Sequence, residues 1–247
     1  MFKNILKGIK AYFGAFGLIS KLKLWKFFVI PIMISIVIAI VIMVTAYTLS
    51  DDFGFYISKL WVWEWGKETF SIISDILSGL IILVLGLMLY KHIVMALSAP
   101  FMSPVSEKIE AHFLEYENTT LRNTSFRAQL WRGIRINVRN LMMELLLTIP
   151  ILLIGFIPLI GIVSTVLLFF VQSYYAGFGN MDYTLERHFK YAESLAFVRK
   201  NRGVAIGNGM VFMLFLLIPV IGIILVLPLS VTAASTETIK LLKIQNR

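Results

Sequence analysis

The sequence contains no cysteine and few charged residues, and both absences narrow what the protein can be. Without cysteine it can form neither disulfides nor thiolate metal sites. Charged residues make up 15% of the chain, whereas hydrophobic residues make up 58% and the mean hydropathy is +0.83. Soluble domains carry roughly 45–50% apolar residues. The composition therefore excludes an ordinary soluble domain and indicates an integral membrane protein.

Motifs of known enzyme and nucleotide sites are also missing. The three histidines show no metal-ligand spacing, and the chain has neither a Gly-x-Ser-x-Gly nor a Walker sequence. The glycine-rich stretch RGVAIGNG follows no strand pattern and precedes an apolar run, so close helix packing explains it better than a nucleotide loop. We therefore expect a protein that is not an enzyme and that binds no metal, cofactor or nucleic acid.

Two apolar regions are typical of ordinary transmembrane helices. Residues 27–50 are uncharged and long enough to cross a hydrocarbon core of about 30 Å. Residues 69–99 supply a second span, in which Lys91 and His92 are expected at the membrane interface or reaching towards it.

Two further apolar regions have an intermediate length. Leu145–Met181 and Gly203–Thr236 contain 37 and 34 uncharged residues. A single straight helix of that size would be about 50–55 Å long, at 1.5 Å per residue. Two full crossings need about 40 residues plus a turn. We therefore predict that each region forms an intramembrane helical hairpin whose arms return to the same side, with six full spans as the alternative.

Proline and glycine interrupt both long regions at corresponding positions. Pro158 and Gly161 in GFIPLIG recur 61 residues later as Pro219 and Gly222 in LIPVIGI. Proline removes a backbone donor and clashes with the preceding turn, so we predict a hairpin turn at each pair. The repetition indicates either an internal repeat of the kind that surrounds transporter sites or one good membrane turn used twice.

Charge predicts the side of the membrane that each segment faces. Residues 1–26 hold six lysines and no acid, whereas residues 51–75 hold two lysines and five acids. The first 26 residues have no short apolar core, and the first long apolar run exceeds the length of a signal-peptide core, so we expect no cleaved signal peptide. By the positive-inside rule only the second segment faces outward, and both termini are cytoplasmic. The prediction is one all-α membrane domain with an interfacial amphipathic helix (1–26), transmembrane helices (27–50 and 69–99), a cytoplasmic helical segment (100–140), a hairpin (141–181), a cytoplasmic linker helix (182–202), a second hairpin (203–236) and a tail (237–247).

Two groups of basic residues are candidate contacts for an anion. Lys23 and Lys26 flank the start of the first span, where free backbone N–H groups could bind a small oxyanion; lipid headgroups are the alternative partner. Arg132, Arg135 and Arg139 lie at i, i+3 and i+7 on one helical face. They could form an anion-attracting cytoplasmic vestibule, with headgroups or glutamates as the alternative partners.

The stretch SAPFMSPVSEKIE, Ser98–Glu110, resembles the segment after the second span in the CysZ-type sulfate permeases and their relatives, the etoposide-induced membrane proteins of the endoplasmic reticulum. FIPLIG and Asp182-Tyr183 are also similar to that family, and the order of elements agrees along nearly the whole chain. The residues that match the motif after the second span, with a role in helix packing, are Ala99, Pro100, Phe101, Glu107 and Glu110.

The resemblance implies two long transmembrane helices, two hairpins that do not cross, and a homo-oligomer in the bacterial inner membrane that takes up sulfate for cysteine synthesis. The family's sulfate site is a Gly-Leu-Arg motif, often followed by a second arginine, at the start of the first span. Here Lys23, Leu24, Trp25 and Lys26 stand at those positions, so Leu24 matches and Lys26 keeps the second positive charge. We expect Lys23, Leu24 and Lys26 to contact sulfate or a related oxyanion. A non-transporting protein that organises lipids or partner proteins is the alternative.

Overall fold

The computed structural model describes residues 1–59, 67–113, 124–155, 160–218 and 220–245. All regular elements in these ranges are helices, and five contain stretches long and apolar enough to cross a membrane, which confirms the predicted all-α membrane class. The described helices are α1 (Phe2–Lys21), α2 (Trp25–Ser58), α3 (Lys67–Phe113), α4 (Phe126–Gly155), α5 (Ile160–His188), α6 (Tyr191–Lys200), α7 (Arg202–Leu216) and α8 (Ile221–Gln245).

Helix α1 is amphipathic, and one of its faces packs inside the protein. Ile5, Ala15 and Ile19 are buried, and the hydroxyl of Tyr12 donates a hydrogen bond to the carbonyl of Asn208 on α7, 2.8 Å away. The lysines at positions 3, 7 and 10 lie on the exposed side. The segment predicted to lie on the membrane therefore also forms part of the core.

Helices α2 and α3 pack together and are longer than the predicted spans. α2 continues to Ser58, and α3 runs through Pro100 and Pro104 to Phe113. At 1.5 Å per residue, the 47 residues of α3 measure about 70 Å, more than twice the thickness of a hydrocarbon core. The predicted boundary at residue 99 is therefore not a helix end, and the predicted segment 100–140 is divided between α3 and α4.

Glycines bring α7 into backbone contact with two neighbours. A β-carbon on Gly207 would stand 2.1 Å from the carbonyl oxygen of Ile5 on α1, and one on Gly209 would stand 1.7 Å from that of Ser173 on α5. No β-carbon fits at such distances, so these positions require glycine. The interpretation of RGVAIGNG as a helix-packing sequence is confirmed.

Two consecutive helix pairs, α4–α5 and α7–α8, have short connections at 156–159 and 217–220. A β-carbon on Gly161 would stand 2.9 Å from the carbonyl oxygen of Gly155, and one on Gly222 would stand 2.2 Å from that of Phe215. Pro158 and Pro219 fall outside the described residues. α7 has 15 residues and measures about 22 Å, too short to cross a core of about 30 Å as a straight helix. That neither pair crosses the membrane stays a prediction.

The predicted linker 182–202 has no single exposed helix. α5 continues to His188, and α6 begins at Tyr191, where the backbone N–H of Lys190 donates to the Glu193 carboxylate over 2.6 Å. Residues 182–187 are buried, and two of their charged side chains are paired: Asp182 with Arg132 of α4 and Arg187 with Glu110 of α3.

Candidate functional site

The start of α2 follows a tight reversal at the end of α1. The N–H of Leu24 donates to the carbonyl of Ile19 over 2.9 Å, and the N–H of Lys23 donates to that of Ser20 over 3.2 Å. These two bonds form a Schellman motif, in which the residue at the position of Lys23 is left-handed and usually glycine. Lys23 has φ 52 and so adopts the strained conformation. A glycine, which stands at this position in the Gly-Leu-Arg motif described above, would adopt the same conformation without strain.

This reversal leaves two backbone donors at the start of a long helix. The N–H of Phe27 bonds to the carbonyl of Leu24 over 2.9 Å, whereas in the described residues the N–H groups of Trp25 and Lys26 donate to no backbone carbonyl. The first N–H groups of a helix carry the positive end of its dipole. The start of α2 therefore offers two donors that suit an anion.

Of the predicted contact residues, Lys23 and Lys26 are exposed and Leu24 is buried. Leu24 therefore anchors the reversal in the core, and only its backbone can face a ligand. Trp25 packs edge-on against Phe28 with ring centroids 6.4 Å apart. Because its indole is uncharged, it does not supply the positive charge that the first arginine of the family's Gly-Leu-Arg motif would have at this position.

Tertiary packing adds a third lysine that the sequence reasoning missed. The Nζ of Lys26 lies 5.2 Å from the centre of the Phe27 ring, and the Nζ of Lys108 lies 5.8 Å from the same ring. Lys108 belongs to α3, within the SEKIE stretch, and is exposed. Lys108 lies in Ser98–Glu110, the segment that resembles the family, and this could have indicated a functional residue. Nothing in the sequence, however, predicts that it lies near Lys26.

The three predicted vestibule arginines have different surroundings. Arg132 donates to both carboxylate oxygens of Asp182, at 3.0 and 2.8 Å, and also to Phe189 and Ser194. Arg135 stacks over the ring of Tyr191 at 4.1 Å. Arg139 donates to the neighbouring Asn140 over 2.9 Å. The charge of Arg132 is thus neutralised, while Arg135 and Arg139 have no carboxylate partner among the described residues.

Three of the residues that match the family motif after the second span, Ala99, Phe101 and Glu110, hold α3 against α4 and α5. A β-carbon on Gly133 would stand 2.5 Å from that of Ala99, and the Phe101 ring packs edge-on against that of Phe126. Pro100 lies inside α3. Glu107 is exposed, whereas Glu110 is buried.

The carboxylate of Glu110 binds two residues at the end of α5. Its Oε2 accepts a hydrogen bond from Arg187 Nη2 over 2.6 Å, and its Oε1 lies 2.7 Å from His188 Nε2. Arg187 also donates to the Ser103 carbonyl over 2.9 Å and to the Ser106 hydroxyl over 2.7 Å. The side chain of Glu110 therefore serves packing and is closed to an anion.

The expectation that Lys91 and His92 lie at the membrane interface is wrong, because both are buried inside the protein. Lys91 Nζ lies 2.6 Å from Glu144 Oε1, and His92 Nε2 lies 2.9 Å from Glu144 Oε2. The other His92 nitrogen faces Asn137 Oδ1 at 3.3 Å. Buried charges persist where they are paired and hydrogen-bonded. A lone acid at the edge of an uncharged run was the signal that could have predicted this cluster.

A family model described as "Sulfate transporter CysZ/Etoposide-induced protein 2.4" matches residues 11–226. This range includes the start of α2, the motif residues on α3 and both helix pairs up to the first turns of α8. The chain therefore belongs to this family, and the resemblance inferred from its motifs is confirmed. The family is one of transporters rather than enzymes. No curated protein sequence matches the chain.

Proposed function

From this family membership, we propose that the protein passes sulfate or a related small oxyanion across the membrane. The family fits membrane sulfate transport in general. For this chain, the observation that carries the proposal is the start of α2, where two N–H groups without a backbone acceptor lie among exposed lysines. Oriented donors and positive side chains can replace the hydration shell that a dianion loses on binding.

Three lysines supply the charge of the proposed site. Lys23 and Lys26 come from the α1–α2 junction, and Lys108 comes from α3. Lysine is a point charge and lacks the planar fork with which arginine grips an oxyanion. We therefore expect the site to attract dianions while discriminating weakly among tetrahedral oxyanions. Leu24 contributes by anchoring the junction in the core.

The arginine face of α4 has a secondary part in the proposal. Arg135 and Arg139 keep charges that no described carboxylate neutralises, so they can raise the local concentration of anions on the cytoplasmic side. Arg132 is excluded from this part because Asp182 holds its guanidinium.

The finer parts of the proposal concern assembly and cell context. The protein would be a homo-oligomer in the bacterial inner membrane, with both termini cytoplasmic, and its sulfate would supply cysteine synthesis. The excess of basic residues outside the 51–75 loop supports this orientation. The exposed apolar side chains of α2, among them Val29, Met33 and Val37, suit contact with lipid or a second copy.

The proposal is tested by sulfate uptake into liposomes that contain the purified protein. Labelled sulfate should accumulate above the level of empty vesicles. The Lys26→Ala/Lys108→Ala variant should lose most of that uptake. A Lys3→Ala/Lys7→Ala variant removes the same charge from exposed positions on α1 and should behave like the unaltered protein. Absence of uptake by the unaltered protein would overturn the proposal.

The alternative is a membrane protein of the same family that organises lipids or partners without transport. The exposed Phe2, Phe13 and Phe16 on α1, beside exposed lysines, favour it, because such a surface binds anionic membranes. Uptake that depends on Lys26 and Lys108 would exclude this alternative.

A further inference from the structure

A cavity of about 480 Å³ lies between α4, α5 and the corner where α6 meets α7. Its apolar wall includes Leu147 of α4 and Phe170 and Val171 of α5. Its polar end includes Arg199 of α6 and Arg202 of α7. The cavity is therefore amphipathic, with guanidinium groups at one end and hydrocarbon along the other.

The positive charge at the polar end is not neutralised. In the described residues no carboxylate pairs with Arg199 or Arg202, and no acid lines the cavity. Arg139 adds a third positive charge nearby, because its guanidinium lies 5.5 Å from the centre of the Phe178 ring, and that ring packs 6.2 Å from the ring of Tyr174, which lines the cavity. The nearby Glu144 cannot compensate them, since Lys91 and His92 already hold its carboxylate. Planar guanidinium groups without an acidic partner suit a phosphate group.

The apolar wall continues along the outside of the α4–α5 pair. Beyond Leu147, the side chain of Ile154 is exposed two turns further along the same face of α4, and those of Val166 and Ile162 are exposed one and two turns from Phe170 on α5. These residues lead from the arginines towards the connection between the two helices. A free inorganic anion would gain nothing from such a wall, whereas an acyl chain would bury it.

We propose that this cavity binds an anionic phospholipid, with its phosphate on Arg199 and Arg202 and its acyl chains along α4 and α5. Tyr174 lines the same cavity and can donate a hydrogen bond to the headgroup. A zwitterionic headgroup would bring its own ammonium group towards the three arginines, so an anionic headgroup is preferred. The site is separate from the start of α2 and does not depend on sulfate transport.

Native mass spectrometry of the delipidated full-length protein tests the proposal. The protein is mixed with equal amounts of phosphatidylglycerol and phosphatidylcholine that carry the same acyl chains. The unaltered protein should retain phosphatidylglycerol about tenfold more than phosphatidylcholine, and Arg199→Gln/Arg202→Gln should abolish the preference. Equal retention of the two lipids by the unaltered protein would overturn the proposal.

Matched controls separate a specific site from general charge and from a free-anion site. Arg127→Gln/Lys200→Gln removes the same charge from exposed positions outside the cavity and should leave the preference unchanged. A loss of preference in this control would contradict a site at the cavity. Inorganic phosphate, added at constant ionic strength, should not displace phosphatidylglycerol. Complete displacement would assign the cavity to a free oxyanion instead.

Discussion

The two helix pairs at the end of the chain share a turn sequence but have different places in the protein. α4 and α5 have 30 and 29 residues and expose much of their apolar surface, whereas most of α8 is buried and α7, with 15 residues, lies between α1 and α5. The same local sequence therefore lies between the helices of two pairs whose surroundings differ. The exposed part of the first pair is the part near its connection, whereas residues 175–187 of α5 are as buried as most of α8.

The polar groups of the two pairs also differ in kind. In the first pair, charged side chains bind a helix outside the pair, as Glu144 of α4 binds Lys91 of α3 and Arg187 of α5 binds Glu110 of α3. The interior of the second pair is held mostly by uncharged groups. Asn208 is an example, since its amide donates to the carbonyl of Ser230 over 3.0 Å. The first pair therefore depends on ion pairs, and the second depends on close packing and neutral hydrogen bonds.

The residues before the two pairs show where the likeness ends. Arg139 and Asn140 recur at the same offset of 61 residues as Lys200 and Asn201. Asn140 lies inside the continuous helix α4, whereas Asn201 separates α6 from α7. Similar sequence thus continues a helix in one place and ends it in the other.

The largest effect is expected in a labelling experiment that asks whether the two turns lie on the same side of the membrane. The chain has no native cysteine, so single cysteines at Leu159 and Val220 report only on those positions. If both pairs return to the cytoplasmic side, an impermeant thiol reagent added outside should label neither. A cysteine at Asp52, in the predicted outer loop, should be labelled and serves as the control. Labelling at 159 or 220 would show that the pair concerned crosses the membrane.

The ion pairs of the first helix pair predict a large loss of stability for Glu144→Ala. This change leaves Lys91 and His92 buried without their carboxylate. Breaking a buried pair costs about 3–5 kcal/mol of the free energy of unfolding. Denaturation in mixed detergent micelles measures it. The double variant Lys91→Met/Glu144→Leu should recover most of that loss, because it removes both charges. Unchanged stability of Glu144→Ala would show that the cluster is not required.

The close packing of the second pair predicts a moderate loss for Gly209→Ala. Its new β-carbon would stand 1.7 Å from the Ser173 carbonyl oxygen, so α5 and α7 must separate. Overpacking of this kind costs about 1–3 kcal/mol. Gly17→Ala is the matched control, because, apart from its chain neighbours and the backbone of its own helix, no described atom lies within 4 Å of its new β-carbon. That change should be neutral or stabilising, since alanine favours the helix. A midpoint of thermal unfolding that is equal in both variants would contradict the packing argument.

The smallest effect is expected at the turn of the second pair. Val220 has φ 65, and a β-branched residue is strained in that conformation. Val220→Gly should therefore raise the free energy of unfolding by about 1 kcal/mol. Val211→Gly, inside α7, should lower it by a similar amount, because glycine disfavours helix interiors. If both changes destabilise the protein, the turn is not strained at Val220.

Much of the fold could be predicted because a segment that is exposed to lipid must satisfy a requirement that depends on its own sequence alone. In a membrane every backbone group must be satisfied within the segment, so long uncharged runs become helices whatever surrounds them. The proline and glycine positions were a weaker guide: the described helices end and begin on either side of Pro158 and Pro219, whereas Pro150 and Pro228 lie inside helices. Helix ends were less predictable. α3 continues past Pro100 because packing against α4 and α5 holds it, and local propensity gives no sign of that.

The candidate site could be predicted only in part. The sequence located Lys23 and Lys26 at the start of a long apolar helix, and the resembling motif gave them a role. It could not supply Lys108, because a lysine on α3 reaches Phe27 only after α2 and α3 have packed together. The prediction for Lys91 also failed, because its burial depends on an ion pair with Glu144, which is 53 residues away in the sequence.

By itself, then, the sequence determined the membrane class, the helical content and the family of this protein, since apolar runs and short motifs act locally. Tertiary structure alone decided which arginines form an ion pair with a carboxylate and which do not. Arg132 and Arg187 form ion pairs with carboxylates, whereas Arg199 and Arg202 line a cavity. An isolated arginine looks the same in sequence in either case. Its electrostatic effect depends on distances of a few ångströms, which only the packed helices set.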